Sequence, residues 1–308
     1  MGLFPTLQKC HIGSMTNKPA ADNQIKIFDR AQLRHNRDQA VKTYDAHNFL
    51  IQEVADRLYD KYLDINRNFN RIVDLGCHGG EMAGRIADKN VVQQDLSLGM
   101  VQQARGLRVQ ADEEALPYQP GSLDLVLSNL SLHWINDLPG CLYQIKHSLK
   151  PDGLFLGSLF GGETLTELRQ CLTKAEVNLR GGLSPRVSPF MTVQDAGGLL
   201  QRAGFSLPVV DTDRITVTYE NAFKLMQELK AMGEANILIK RFQGLSSRAV
   251  MMEAARLYQE KFVDDRGRIV VTFDIIYLMG WSPHESQQKP LKPGQGKVNL
   301  ADMFGEKS

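Results

Sequence analysis

Seven consecutive residues, Asp74-Leu75-Gly76-Cys77-His78-Gly79-Gly80, and a carboxylate nineteen residues past Gly76, Asp95, have the types and spacing to hold a nucleoside. Small turn residues let the backbone approach a ligand, and a carboxylate at the end of the next strand can accept hydrogen bonds from two ribose hydroxyls. A pyrophosphate is a poor fit, because the residue two after Gly76 is His78 and the G-x-G-x-x-G spacing is missing. The G-x-x-G-G spacing suits a ligand without phosphates whose ribose and amino-acid tail lie over the turn, and S-adenosylmethionine (SAM) is the common one. Asp74, Gly76, Cys77, His78, Gly79, Asp95 and Leu96 are the first candidates for cofactor contact. Asp112 and Glu113 follow a third strand-like run, where an acidic residue can accept the adenine amine. Asn129 and Leu130 close a fourth, Leu123 to Ser128, and ligands of open α/β sheets sit beyond the carboxyl ends of strands. An ordinary strand-turn-helix connection would explain the glycine run alone, but not the acidic residues placed after it.

Groups able to act on an acceptor are fewer. His133 follows the fourth strand beside Trp134, where it would face the reacting end of the cofactor, and histidine can act as a base near neutral pH. The same position also suits a histidine that only satisfies loop backbone. Tyr44, in a helical segment ahead of the sheet, could contact the cofactor or simply anchor a helix on the core. No catalytic dyad or triad is visible. Methyl transfer does not require one, being an in-line displacement that depends on positioning. Hydroxylation commonly uses iron held by two histidines and a carboxylate. None of the seven histidines has a carboxylate two residues later, and no metal ligand is assigned.

These groups need a scaffold. Val91 to Asp95 reads as a second strand, Met100 to Arg105 as the start of a helix, and Leu138 to Leu149 as a helix stopped by Lys150-Pro151-Asp152-Gly153 before another strand, Leu154 to Leu159. Ahead of the sheet, Phe49, Leu50, Val54, Leu58 and Tyr62 share a helical face, preceded by a basic stretch from Arg30 through Arg34, His35 and Arg37. Beyond residue 160, Gly161 opens a helix reaching about Leu179, and Thr192 to Ala203 forms the next. Pro208 to Tyr219 and Ile269 to Met279 read as a terminal antiparallel pair, with helices over Asn221 to Gly233 and Ser246 to Val263 inserted between them as a substrate cap. The expected architecture is a Rossmann-like α/β fold: a mostly parallel seven-stranded sheet with N-terminal helices and a helical insertion. The expected divisions are a flexible leader (1–24), a helical segment (25–65), a SAM-binding core (66–160), a C-terminal part with the cap (161–281) and a flexible tail (282–308).

A chain of 308 residues, 43% apolar and 23% charged, can bury a sizeable core. Net charge of +1 gives no global field for nucleic acid or acidic membranes, and no run reaches the roughly 18 apolar residues of a membrane span. Cys10, Cys77, Cys141 and Cys171 have no zinc or disulfide spacing, which points to a reducing compartment. Met1 to Ala21 lacks arginine and is a poor mitochondrial presequence. Met1-Gly2-Leu3-Phe4-Pro5-Thr6 matches the myristoylation pattern without polybasic support, and Met15 could be the true start.

In combination, Asp74-Leu75-Gly76-Cys77, Asp95, Ala111 to Pro117, Leu123-Asp124-Leu125-Val126 and Leu149 to Gly153 resemble the class I SAM-dependent methyltransferases over about residues 44 to 160. Ile27-Phe28-Asp29-Arg30, Asn66 to Phe69, Ser128 to Pro139, Phe160 to Leu165, Gly182 to Pro185, Ser188-Pro189-Phe190, Val210 to Asp213, Met232 to Asn236 and Gly280 to Gln287 look like the complex I assembly factor five family, over about residues 25 to 287. That resemblance implies a SAM-dependent arginine hydroxylase whose substrate is a protein, an iron–sulfur subunit of respiratory complex I. Through it Glu163 and Glu234 become candidates on the substrate side, since a carboxylate would pair bidentately with the implied arginine acceptor, and each is equally at home as a solvated helix residue. No nucleic-acid partner is expected, on the net charge of +1, and the oligomeric state stays open. The family usually has glycine where this chain has His78, a side chain that either crowds the SAM tail or bonds its carboxylate. Two alternatives stand beside it: a malonyl-carrier-protein type O-methyltransferase, sharing Asn129-Leu130 and Leu149 to Gly153, and an assembly chaperone that keeps the fold without catalysis. A bacterial origin would place the protein in the cytoplasm and a eukaryotic one in the mitochondrial matrix, and the weak leader points to the first.

Overall fold

Apolar runs without polar alternation belong to strands covered on both faces, and the central strands are of this kind. In the computed structural model, which describes residues 26–86, 90–244 and 246–288, β1 (Ile72–Leu75), β2 (Val91–Asp95), β3 (Leu107–Gln110), β4 (Leu123–Ser128) and β5 (Leu149–Phe160) run parallel. β6 (Ser206–Tyr219) and β7 (Ile269–Trp281) complete the sheet antiparallel, in the order β3-β2-β1-β4-β5-β7-β6. Ile72 faces one side with Leu125, Leu154 and Leu156, against α2 (Phe49–Leu63), α6 (Thr166–Arg180), α8 (Ala222–Ala231) and α9 (Arg248–Lys261). Val73 faces the other with Val126 and Phe155, against α5 (Leu138–Ser148) and α7 (Val193–Arg202). The remaining helices are α1 (Arg30–Ala40), α3 (Glu81–Arg85) and α4 (Leu98–Gln103). The expected seven-stranded, mostly parallel fold with N-terminal helices and a helical insertion between the last two strands is present.

Helix starts follow their caps. Asp29 accepts from Gln32 N at 3.0 Å, Asp137 from Gly140 N at 2.9 Å and Ser97 from Met100 N at 3.1 Å, each worth about 1 kcal/mol. The Ser97 cap starts α4 at Leu98, two residues before the expected Met100. Two other boundaries also differ. β5 starts at Leu149, because Leu123 pairs with Leu149 and Leu125 with Leu154, so Lys150-Pro151-Asp152-Gly153 bulges out of a continuing strand rather than separating two elements. α6 starts at Thr166 and not at Gly161, since Thr164 N donates to Gly161 O at 3.0 Å in a turn and Leu165 takes a left-handed φ of 56°. Cys77, Cys141 and Cys171 are buried free thiols. Among the described residues no helix is long and apolar enough to cross a membrane. The leader, its myristoylation pattern, Cys10, Met15 and the tail from residue 289 lie outside the described residues.

Candidate functional site

The glycine turn leaves β1 through Gly76, whose φ of 67° and close approach to Ser131 exclude any side chain: a Cβ there would run into the Ser131 hydroxyl. Cys77 N donates to Gln94 O at 2.9 Å and His78 N to Asp95 Oδ2 at 3.2 Å, which ties the turn to the end of β2. Gly79 packs beneath the Tyr44 ring. Asp74 lies under the turn, fully buried, its Oδ2 accepting from Ala83 N at 3.2 Å, so its carboxyl supports the first turn of α3. Burial, with Glu81 and Asp95 nearby, pushes its pKa up to about 7.

The acidic candidates are in contact with arginines. Asp95 is completely buried; its Oδ2 lies 3.0 Å from Arg37 Nη1, and its Oδ1 accepts from Ser97 N at 2.8 Å. Arg37, equally buried on α1, also reaches Glu113 Oε1 at 3.6 Å and donates to Ser131 Oγ at 3.2 Å. Arg30, two helical turns earlier on the same face, donates to Asp112 Oδ1 at 2.6 Å and to Glu113 Oε2. Burial works against the charge of both arginines, but the carboxylates outweigh it and their pKa values are raised. Leu96 and Asp112 share with Arg30, Arg34 and Asp38 an open cavity of about 420 Å³ beside this cluster. Asp95, Leu96, Asp112, Glu113 and the turn are thus brought together, with α1 laid over them. Arg30, Arg37 and Ser131 were missed by the sequence reading; the available signal was two arginines seven residues apart inside a basic stretch that faces an acidic one.

The other candidates divide. Asn129 spends its side chain on Ile51 O (2.9 Å) and Ser158 Oγ (2.9 Å), fastening α2 to the sheet. Its carbonyl and that of Leu130 both lie 3.2 Å from His78 Nε2. Tyr44 is buried, its ring stacked on His78 with centroids 6.3 Å apart. His133 lies between the turn and the cap, its Nε2 3.2 Å from Glu234 Oε2, and burial lowers its pKa despite that carboxylate. Glu163 is corrected: it is exposed on the turn before α6, lines no cavity described here, and is not brought to the site, because the helix it was expected to open begins three residues later.

The donor set fits a nucleoside with an amino-acid tail. His78 Nδ1 is buried beside the turn without a hydrogen-bond partner, and the Tyr44 hydroxyl and the Glu81 carboxyl are buried against each other there; a carboxylate and an ammonium would engage these groups. Fitting a ribose to Asp95 requires the Arg37 side chain to yield, since both carboxylate oxygens are already engaged. His78 holds a left-handed φ of 49°, which glycine would adopt without strain. The strain is common to the free and bound protein and cancels from the affinity, while losing a bond from His78 Nδ1 to the tail would cost about 1 kcal/mol, so His78→Gly is expected to weaken SAM binding roughly fivefold by calorimetry. Tighter binding would show that the ring obstructs the tail.

Among the described residues no group of three or more His, Cys, Asp or Glu is placed to hold a metal ion. A methyltransferase-domain family model matches residues 73–157. The chain is 40% identical over 290 residues to "Arginine-hydroxylase NDUFAF5, mitochondrial" of Danio rerio, covering 91% of this chain and 90% of that protein. It is 41% identical to the protein of the same name in Homo sapiens, covering 91% and 84%. A malonyl-[acyl-carrier protein] O-methyltransferase of Methylovorus sp. (strain MP688) is 32% identical over 83% of this chain and 90% of its own length. The YcgJ protein of Bacillus subtilis shares the fold, with a TM-score of 0.52 at 12% identity over 74% of this chain and 98% of that one.

Proposed function

The chain belongs to the arginine-hydroxylase NDUFAF5 family, and on that premise we propose that it is a SAM-dependent enzyme that hydroxylates an arginine of a protein, an iron–sulfur subunit of respiratory complex I. The observation that carries the reading is the arrangement of Asp95, Asp112 and Glu113 beyond the carboxyl ends of β2 and β3 and beside the Gly76 turn, in a chain related to these hydroxylases over nine-tenths of its length. Asp95 would hold the ribose hydroxyls, Asp112 and Glu113 the adenine amine, with Leu96 against the ring. Gly76, Cys77, His78 and Gly79 would carry the tail, with Tyr44 closing it and the carbonyls of Asn129 and Leu130 beside it. SAM supplies an activated sulfonium when bound; hydroxylation also inserts an oxygen atom in a two-electron oxidation, so dioxygen and a two-electron reductant would have to enter as co-substrates, with the second oxygen leaving as water. His133 is buried and neutral near pH 7, its Nδ1 without a partner, so it could take a proton from an acceptor. The place of work follows the substrate: the bacterial cytoplasm, or the matrix of the mitochondrion, the organelle named for the eukaryotic relatives.

Intact-mass spectrometry of the complex I iron–sulfur subunits, from cells with and without this gene, tests the reading. A loss of about 16 Da, one oxygen, is expected in the deletion strain. A loss of about 14 Da would instead indicate methylation, and unchanged masses would sink protein modification altogether.

A further inference from the structure

A second cavity, of about 430 Å³, opens beyond the carboxyl end of β5 beneath α6, α8 and α9, away from the cofactor candidates. Its walls are largely apolar. Three buried polar atoms of residues in that wall nevertheless have no hydrogen-bond partner: the acceptor Glu234 Oε1, the hydroxyl Ser188 Oγ, and Arg186 Nη2, whose charge is met by Glu176 Oε1 at 2.7 Å. A buried carboxylate oxygen without a donor is costly, so Glu234 Oε1 calls for a guest that brings donors, and the Ser188 hydroxyl in the same wall can accept one more.

Glu234 is held for that purpose. Its Oε2 accepts from Trp134 Nε1 at 2.6 Å and lies 3.2 Å from His133 Nε2, which fixes the carboxylate plane and leaves Oε1 over. Burial pulls this carboxyl upward, yet the bond from His133 and the guanidinium of Arg37 prevail, so Glu234 is ionised at neutral pH. Around it stand three rings: Phe190 lies 6.2 Å from Trp134 and 5.6 Å from Phe160, centroid to centroid. Aromatic faces attract cations, guanidinium above all.

The geometry points to a guanidinium pocket, in which Glu234 Oε1 and Ser188 Oγ accept N–H bonds from an arginine side chain of the protein substrate while Trp134, Phe160 and Phe190 cover it. The identity of the polypeptide rests on the arginine-modification reading above; the preference for a planar cation rests on the pocket. Arg186 also lines the cavity, but its Nε donates to Glu176 Oε1 at 2.7 Å, which offsets its charge. Lys230 is exposed at the rim. A carboxylate guest would suit those two cations but would have to bring its own charge up to Glu234.

The test uses the full chain and two probes, Nα-acetylarginine amide and its uncharged isostere Nα-acetylcitrulline amide, with binding read by calorimetry or NMR. The arginine probe is expected to bind at least about tenfold more tightly than the citrulline probe, because it alone brings charge to a charged acceptor. Ser188→Ala is expected to weaken the arginine probe several-fold and Glu234→Gln by about tenfold or more. Should Glu234→Gln fail to fold, the citrulline comparison and Ser188→Ala still decide. Equal affinity for the two probes, or tighter binding of malonate than of the arginine probe, overturns the pocket. The two readings fail separately: arginine-selective binding with unchanged subunit masses sinks the function and keeps the pocket. A mass change in cells with binding indifferent to both variants sinks the pocket alone.

Discussion

Arg37→Leu is expected to destabilise the protein by about 3–5 kcal/mol at neutral pH, the cost of stranding buried charge when one partner of a pair is removed. The guanidinium has no exposed surface and sits 3.0 Å from Asp95 and 3.6 Å from Glu113, themselves completely buried. Leucine replaces the packing of the stem but leaves the buried Asp95 without a counter-charge, beside a Glu113 that only Arg30 then neutralises. The loss should appear as a lower urea midpoint with an unchanged slope, and added salt should restore little of it, because buried pairs are weakly screened. The same substitution frees the lone pairs of Asp95 that a ribose would use. SAM should therefore stabilise the variant more than the parent, by the logarithm of concentration over dissociation constant. A destabilisation below about 1 kcal/mol would mean that Arg37 contributes no more than an exposed pair.

Asp74→Asn should act in the opposite direction, and its effect should depend on pH. The Asp74 carboxyl titrates near 3.8 in an unfolded chain and near 7 in the folded protein, raised by burial, by Glu81 and by Asp95. Between those values the folded state holds a proton that the unfolded state has released, so stability is full below pH 3.8 and is lost as pH rises through 7. The rise corresponds to about 4 kcal/mol at complete ionisation. Asparagine can still accept from Ala83 N and carries no charge at any pH. Its advantage over the parent is expected to be about 2–3 kcal/mol larger at pH 8 than at pH 5, measured by urea unfolding at both. An advantage independent of pH would show that Asp74 is not protonated in the native protein.

The elements of the sheet were legible because their signals are local. Ile72 to Leu75 and Leu123 to Ser128 are apolar runs of strand length, and the Gly76 turn and Asp95 stand at the ends of consecutive strands. The errors fell where tertiary packing overrode such signals. Lys150 to Gly153 looks like a break, yet β4 pairs with residues on both sides of it. Gly161 looks like a helix start, yet Gly161 and Leu165 donate their N–H groups to the carbonyls of Asp274 and Thr272, both on the last strand, which holds the turn open until Thr166 and leaves Glu163 outside the site.

Sequence by itself determined the chemistry of the candidate cofactor site: a glycine turn, a carboxylate one strand further on, and acidic residues after the third strand. Spacing along the chain suffices there, because each group is placed by its own strand end. Only the tertiary structure decided which partners those carboxylates have, and that Glu234 rather than Glu163 faces a cavity. Arg37 meets Asp95 from 58 residues away, and Glu234 meets Trp134 from 100 residues away. Pairings at that separation are selected by how helices pack on a finished sheet, and no local pattern of residues encodes them.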